Sequence, residues 1–165
     1  MEARFPIYTP GTLPGLPLGH QNATLVGAVD EEFSYVLLPF FGSLAACGFP
    51  SPADDHVADL LDLNEHLIRN APATYIVRAS GVSMEPAVCD GDLCVIDRSL
   101  TPRHGDIVLA CFDGAFTLKR LVVRGGRKLL VPENENFPIL RMTSEEAVAV
   151  FGVLTFTIKA HRRYG

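Results

Sequence analysis

The chain has no Cys-x-x-Cys pair, no basic stripe and no apolar run long enough to cross a bilayer. Each lack narrows what it does. The four cysteines, Cys47, Cys89, Cys94 and Cys111, offer no matched pairs of ligands, so no metal site is expected. Unpaired thiols that pack as small hydrophobes suit a reducing cytoplasm. Fourteen Lys and Arg against nineteen Asp and Glu leave a net charge of −5. A nucleic-acid binder needs a clustered basic face, and His161-Arg162-Arg163 is only a short tail cluster. Direct, sequence-specific DNA binding is therefore not expected. The apolar run 35–41 contains Pro39, is followed by Gly42 and is too short to span a membrane as a helix. Asp30-Glu31-Glu32 stands before it, where a signal peptide needs positive charge. That flank argues against lipidation at Leu44-Ala45-Ala46-Cys47 and against any membrane location. No internal repeat is evident.

What is present describes a turn-rich folded protein: nearly half the residues are apolar, with fourteen glycines and twelve prolines. The length fits one domain with an appendage. Residues 1–32 carry Pro and Gly at close spacing and read as a mobile arm. Residues 33–50 are apolar and end in Cys47-Gly48-Phe49-Pro50; such a segment needs a groove to lie in. A helix is expected over 52–69, capped by Ser51, with Pro52 at its first position and Asp54 and Asp55 near its positive end. Val57, Leu60, Leu61, Leu67 and Ile68 would form its apolar face, packed on its own domain or on a dimer partner. From Thr74 onward the pattern is strand after strand, over 75–77, 93–96, 107–112, 116–123, 128–131 and 148–158. Turns such as Asp90-Gly91-Asp92, His104-Gly105-Asp106, Asp113-Gly114 and Gly125-Gly126 separate them. The fold class expected is mostly β, built from short hairpins, with one amphipathic helix and a long flexible N-terminal arm.

Two residues carry the chemistry. Ser83 lies in the turn Ser80-Gly81-Val82-Ser83-Met84-Glu85-Pro86, and Lys119 follows 36 positions later inside an apolar strand. A serine hydroxyl is a weak nucleophile until a neighbouring base takes its proton. A lysine serves as that base only when neutral, and burial among apolar side chains lowers its pKa. Leu118 and the run Leu121-Val122-Val123 suit that demand. The turn and the lysine together resemble the Ser-Lys hydrolases, and the resemblance implies a chain that cuts a peptide bond.

Further motifs carry a resemblance. Asp90-Gly91-Asp92, His104-Gly105-Asp106-Ile107-Val108, Asp113-Gly114-x-Phe116-Thr117-x-Lys119 and Val150-Phe151-Gly152-Val153 resemble the catalytic domain shared by LexA-type repressors and UmuD-type proteins. Cys47-Gly48-Phe49-Pro50-Ser51-Pro52-Ala53, Asp62-Leu63-Asn64 and Ala73-Thr74-Tyr75 narrow the likeness to the UmuD-like group. It covers about residues 33–160. What it implies is self-cleavage at Cys47-Gly48 by the Ser83-Lys119 dyad, with backbone N–H groups at Ser83 and Val82 receiving the oxyanion. The implied division is an arm over 1–47 removed by the cut, a linker and helix over 48–72, and a β-rich peptidase-like domain over 73–165. A small residue followed by glycine at the cut lets the backbone approach a nucleophile closely, and the apolar residues before it could add as a strand to a sheet edge.

The likeness further implies a cytoplasmic homodimer whose cleavage is promoted by a RecA filament on single-stranded DNA. The shortened form would then join a UmuC-type Y-family DNA polymerase in error-prone lesion bypass during the SOS response. No cofactor is implied. Two other readings fit the dyad or the domain: a trans-acting peptidase resembling signal peptidase, and a non-enzymatic dimeric module that binds a polymerase. The chain departs from the UmuD-like pattern in the length of its arm, and 85–89 is closer to the LexA-type nucleophile turn.

Overall fold

Each run expected as a strand pairs with antiparallel neighbours in the computed structural model, which describes residues 23–28, 37–41, 57–112, 114–142 and 148–161. The strands are β1 (Ala23–Ala28), β2 (Leu37–Phe41), β3 (Val57–Asp62), β4 (Thr74–Ala79) and β5 (Leu93–Asp97). They continue as β6 (Ile107–Phe112), β7 (Ala115–Arg124), β8 (Arg127–Val131), β9 (Leu140–Arg141) and β10 (Val148–Ile158). One α-helix, α1 (Leu63–Leu67), occurs among the described residues. Eight strands form a sheet in the order β1-β4-β5-β10-β6-β7-β8-β9, and β2 and β3 form a separate ribbon.

The central strands are apolar on both faces, which is why they read as continuous hydrophobic runs rather than alternating ones. In β6, Leu109 packs with Val77, Met84, Val88, Ile96, Phe116, Leu118 and Phe151. Its neighbours Val108 and Ala110 point the other way, with Leu121, Leu130, Val148, Val150 and Val153. Fully burying each such side chain contributes roughly 1.5–3 kcal/mol. Tight turns hold the register. Gly125 and Gly126 both adopt positive φ, +56° and +76°, between the paired ends Arg124 and Arg127. That is the twist a two-residue hairpin needs and a Cβ opposes.

Two elements differ from expectation. The helix expected over 52–69 is a strand over Val57–Asp62 and a helix only over Leu63–Leu67. Leu60 and Leu61 pair with Pro39 and Leu38 of β2, so a distant segment takes the backbone hydrogen bonds that a helix would make locally. A helix of five residues is far too short to hold by itself. Asp62 caps it in place of Ser51, its carboxylate accepting from the Asn64 N–H at 2.8 Å; Ser51 and Pro52 lie outside the described residues. Nor is α1 amphipathic against the core, since it buries no residue. The second difference is in 1–32, where Ala23–Ala28 pairs with β4 as an edge strand, Ala23 opposite Ala79.

Strand β10 joins the two halves of the sheet, pairing with β5 on one side and β6 on the other. Its register shifts between Val150 and Gly152, and a Cβ at Gly152 would stand 2.7 Å from Ile96 Cγ2 and 3.0 Å from the Asp97 carbonyl oxygen. The second contact is backbone and has nowhere to retreat. Gly152→Ala is expected to destabilise by about 2 kcal/mol or more, read as a lower urea midpoint at unchanged m-value.

Candidate active site

The site is assembled from a loop after β4 and the middle of β7. The Ala79 N–H donates to the Asp92 carbonyl at 2.9 Å and the Ala79 carbonyl accepts from Gly91 N–H at 2.9 Å, closing the loop at its base. Gly81, at φ +79°, donates its N–H to Asp90 Oδ1 at 2.8 Å. Met84 and Val88 sink into the core, and Val88 N–H donates to the Met84 carbonyl at 2.9 Å. Between the exposed Val82 and the buried Met84 sits Ser83, only 6% exposed. Packing of its neighbour thus orients the serine.

Lys119 lies opposite Val108 in the β6–β7 ladder and is also 6% exposed. Its Nζ is 3.1 Å from Ser83 Oγ, 3.0 Å from Thr117 Oγ1 and 2.9 Å from the Leu118 carbonyl oxygen. Burial lowers its pKa from 10.5 to about 8. A neutral amine has two N–H donors and one lone pair. Donation to Thr117 and Leu118 leaves the lone pair facing the Ser83 hydroxyl, which is the arrangement of a general base and its nucleophile.

The structure therefore brings Ser83 and Lys119 together. Leu118, expected to supply apolar cover, alternates to the opposite face and offers its carbonyl instead. Leu121 and Val108 share the lysine's face. Cys94 is a buried core residue whose thiol is pushed up to about 12, first by burial and then by Asp92. Cys47 and Gly48, the expected cut site, lie outside the described residues. Two partners were not anticipated. Thr117 stands two residues before Lys119, and strand period alone places them on one face. Asn134 donates its side-chain Nδ2–H to the Val82 carbonyl at 3.1 Å and its backbone N–H to the Ser83 carbonyl at 3.1 Å. No local pattern announces that contact.

The chain has relatives. The family described as Peptidase S24-like matches residues 39–155. Protein ImpA of Salmonella typhimurium is 46% identical over 130 residues, covering 78% of this chain and 88% of its own. Protein MucA of the same organism is 43% identical over 126 residues, covering 75% of this chain and 86% of its own. The LexA repressor of Bordetella avium is 34% identical over 154 residues, 93% of this chain and 71% of its own. No helix among the described residues is long and apolar enough to cross a membrane.

Burying an amine has a stability consequence. Between pH 8 and 10.5 the unfolded chain keeps the lysine proton that the folded chain has released, so stability rises with pH through that window. Below pH 8 both states are protonated and the folded one carries a buried ammonium; the full difference is about 3 kcal/mol. Lys119→Met is expected to be more stable than the native chain at pH 7, by on the order of 2 kcal/mol. Urea midpoints measured at pH 7, 9 and 10.5 should show that gap closing as pH rises.

Proposed function

The chain belongs to the Peptidase S24-like family as a UmuD-like member, and on that premise we propose that it cuts its own Cys47–Gly48 bond. Neutral Lys119 takes the Ser83 proton as Ser83 Oγ attacks the Cys47 carbonyl carbon. The oxygen of the tetrahedral intermediate receives hydrogen bonds from the backbone N–H of Ser83 and of Val82. Collapse breaks the C–N bond, and the Lys119 ammonium returns the proton to the leaving Gly48 amine. Water, deprotonated by the same lysine, then releases the acyl group from Ser83. Residues 1–47 leave as the arm, and 48–165 remain. The single observation that carries this reading is the buried 3.1 Å contact between Lys119 Nζ and Ser83 Oγ.

The UmuD-like membership supports a wider role as part of the same proposal. The protein acts as a homodimer in the cytoplasm during the SOS response. A RecA filament on single-stranded DNA promotes its cleavage, and the cut form serves a UmuC-type Y-family polymerase in synthesis past lesions. It uses no cofactor and reads no DNA sequence itself.

Purified protein held between pH 6 and 10, beside Ser83→Ala and Lys119→Ala, tests the chemistry by intact mass. The expected product begins at Gly48, appears only in the native chain, and forms about tenfold faster per pH unit until a plateau above pH 8. A product that also forms in Ser83→Ala would sink the mechanism. A Ser83-dependent product with another terminus would keep the peptidase and discard the cut site.

A further inference from the structure

The loop that follows β8 reaches both halves of the dyad through two adjacent residues. Glu133 Oε1 accepts from Arg120 Nε at 2.6 Å, and Arg120 directly follows Lys119 in β7. The same guanidinium donates to the Gly105 carbonyl, which anchors it to the start of the β6 hairpin. Asn134 donates to the carbonyls of Val82 and Ser83, both at 3.1 Å. One dipeptide is thus fastened to the strand that carries the base and to the turn that carries the nucleophile.

The carboxamide of Asn134 is held at both ends. Its Oδ1 accepts from the Asn136 N–H at 3.1 Å while its Nδ2 donates to Val82, and the backbone carbonyl of Asn134 accepts from the Phe137 N–H at 3.1 Å. Swapping oxygen and nitrogen would break the two side-chain bonds, so the network assigns the orientation. The acceptors it chooses are telling. In a trans peptide unit the C=O and the N–H point in opposite directions, and the cis bond in this loop is Glu85–Pro86, not the bond between Val82 and Ser83. The Val82 carbonyl also accepts from the Glu85 N–H at 3.3 Å, and the shorter bond from Asn134 adds to that turn bond in fixing the Ser83 N–H in the opposite direction. From the other side of the turn, Asp90 holds the Gly81 N–H.

We infer that Asn134 is a positioning residue for peptide-bond cleavage: by holding the Val82 carbonyl it aims the Ser83 N–H at the developing oxyanion, and by holding the Ser83 carbonyl it fixes the peptide unit that follows the nucleophile. The Glu133–Arg120 pair beside it fixes how far the nucleophile turn stands from β7. The inference rests on Ser83 acting as the nucleophile. Asn134 itself touches no reacting atom.

The full-length chain is tested in two assays. One is self-cleavage as a function of pH. The other is phosphonylation of Ser83 by an alkyl fluorophosphonate, in which Ser83 Oγ forms a bond to phosphorus, fluoride leaves and Lys119 takes the proton. The phosphoryl oxygen needs the same N–H donors, but the reaction needs no Cys47–Gly48 bond. Asn134→Ala is expected to lower the plateau rate of both by roughly 10–100-fold, with the midpoint still near pH 8. Asn134→Gln keeps a carboxamide donor and should recover part of that loss. Native rates in Asn134→Ala overturn the inference. So does a loss accompanied by a midpoint moved towards 10.5, because the dyad itself would then have come apart. If the native chain is phosphonylated but never cut, the self-cleavage reading fails and the phosphonylation rates alone decide the role of Asn134.

Discussion

A lysine amine kept out of water is the constraint around which this domain is arranged. In the proposed cleavage this amine is the base that activates the Ser83 hydroxyl near neutral pH. Lys119 sits in the middle of a strand whose Leu118 and Leu121 are buried, and its Nζ meets three oxygens instead of solvent. Those oxygens matter as much as the burial. Without them the amine would be an orphaned polar group costing several kcal/mol; with a carboxylate among them it would stay protonated. A hydroxyl pair and a carbonyl stabilise the amine without fixing its charge.

Geometry beyond the lysine serves the same end. In sheet order β4 and β7 are separated by β5, β10 and β6, a distance of roughly 19 Å across a flat sheet. The Ser83 turn nevertheless lies in hydrogen-bond contact with Lys119. Curling brings this about, and β1 at one edge also approaches β7. Met84 and Val88 then pull the turn down onto the core. Register shifts in β10, against β6 at Gly152 and against β5 near Phe156, fall in the strand that links the two halves. Bulges of this kind increase local twist. The Ser83–Lys119 distance is in this sense a property of the sheet's curvature.

What could be read from the chain follows from how local each signal is. Strands β4 to β8 and β10 were legible because β-rich runs and Gly-containing turns sit side by side. The Ser83-Lys119 pair was legible because a turn motif and a lysine in an apolar strand are both local features. Segment 57–62 departs from the expected helix because its apolar spacing fits a helix as well as a strand, and only β2, some twenty residues earlier, decides the matter. Strand β1 was hidden for the same reason, since Ala23 finds its partner at Ala79. Asn134 lies 52 positions from Val82, and an Asn in a turn-rich loop carries no mark of what its amide will hold. Thr117 was the opposite case. It stands in plain view within the motif, and two-residue periodicity alone is enough to place it beside Lys119, although no role is expected of it from the sequence.

The position of β1 gives the proposed cut a meaning in terms of sheet edges. Both β1 and β2 precede Cys47, whereas their partners β4 and β3 follow it. Severing the Cys47–Gly48 bond leaves each pairing intermolecular, held by a short ladder with no covalent tether and free to dilute away. Once β1 departs, the outer backbone groups of β4 have no ladder partner, and an unpaired edge is a template for another chain. The nucleophile turn hangs directly from that strand. The proposed cut would do more than shorten a polypeptide: it would exchange a tethered edge strand for a vacancy of the same length and direction.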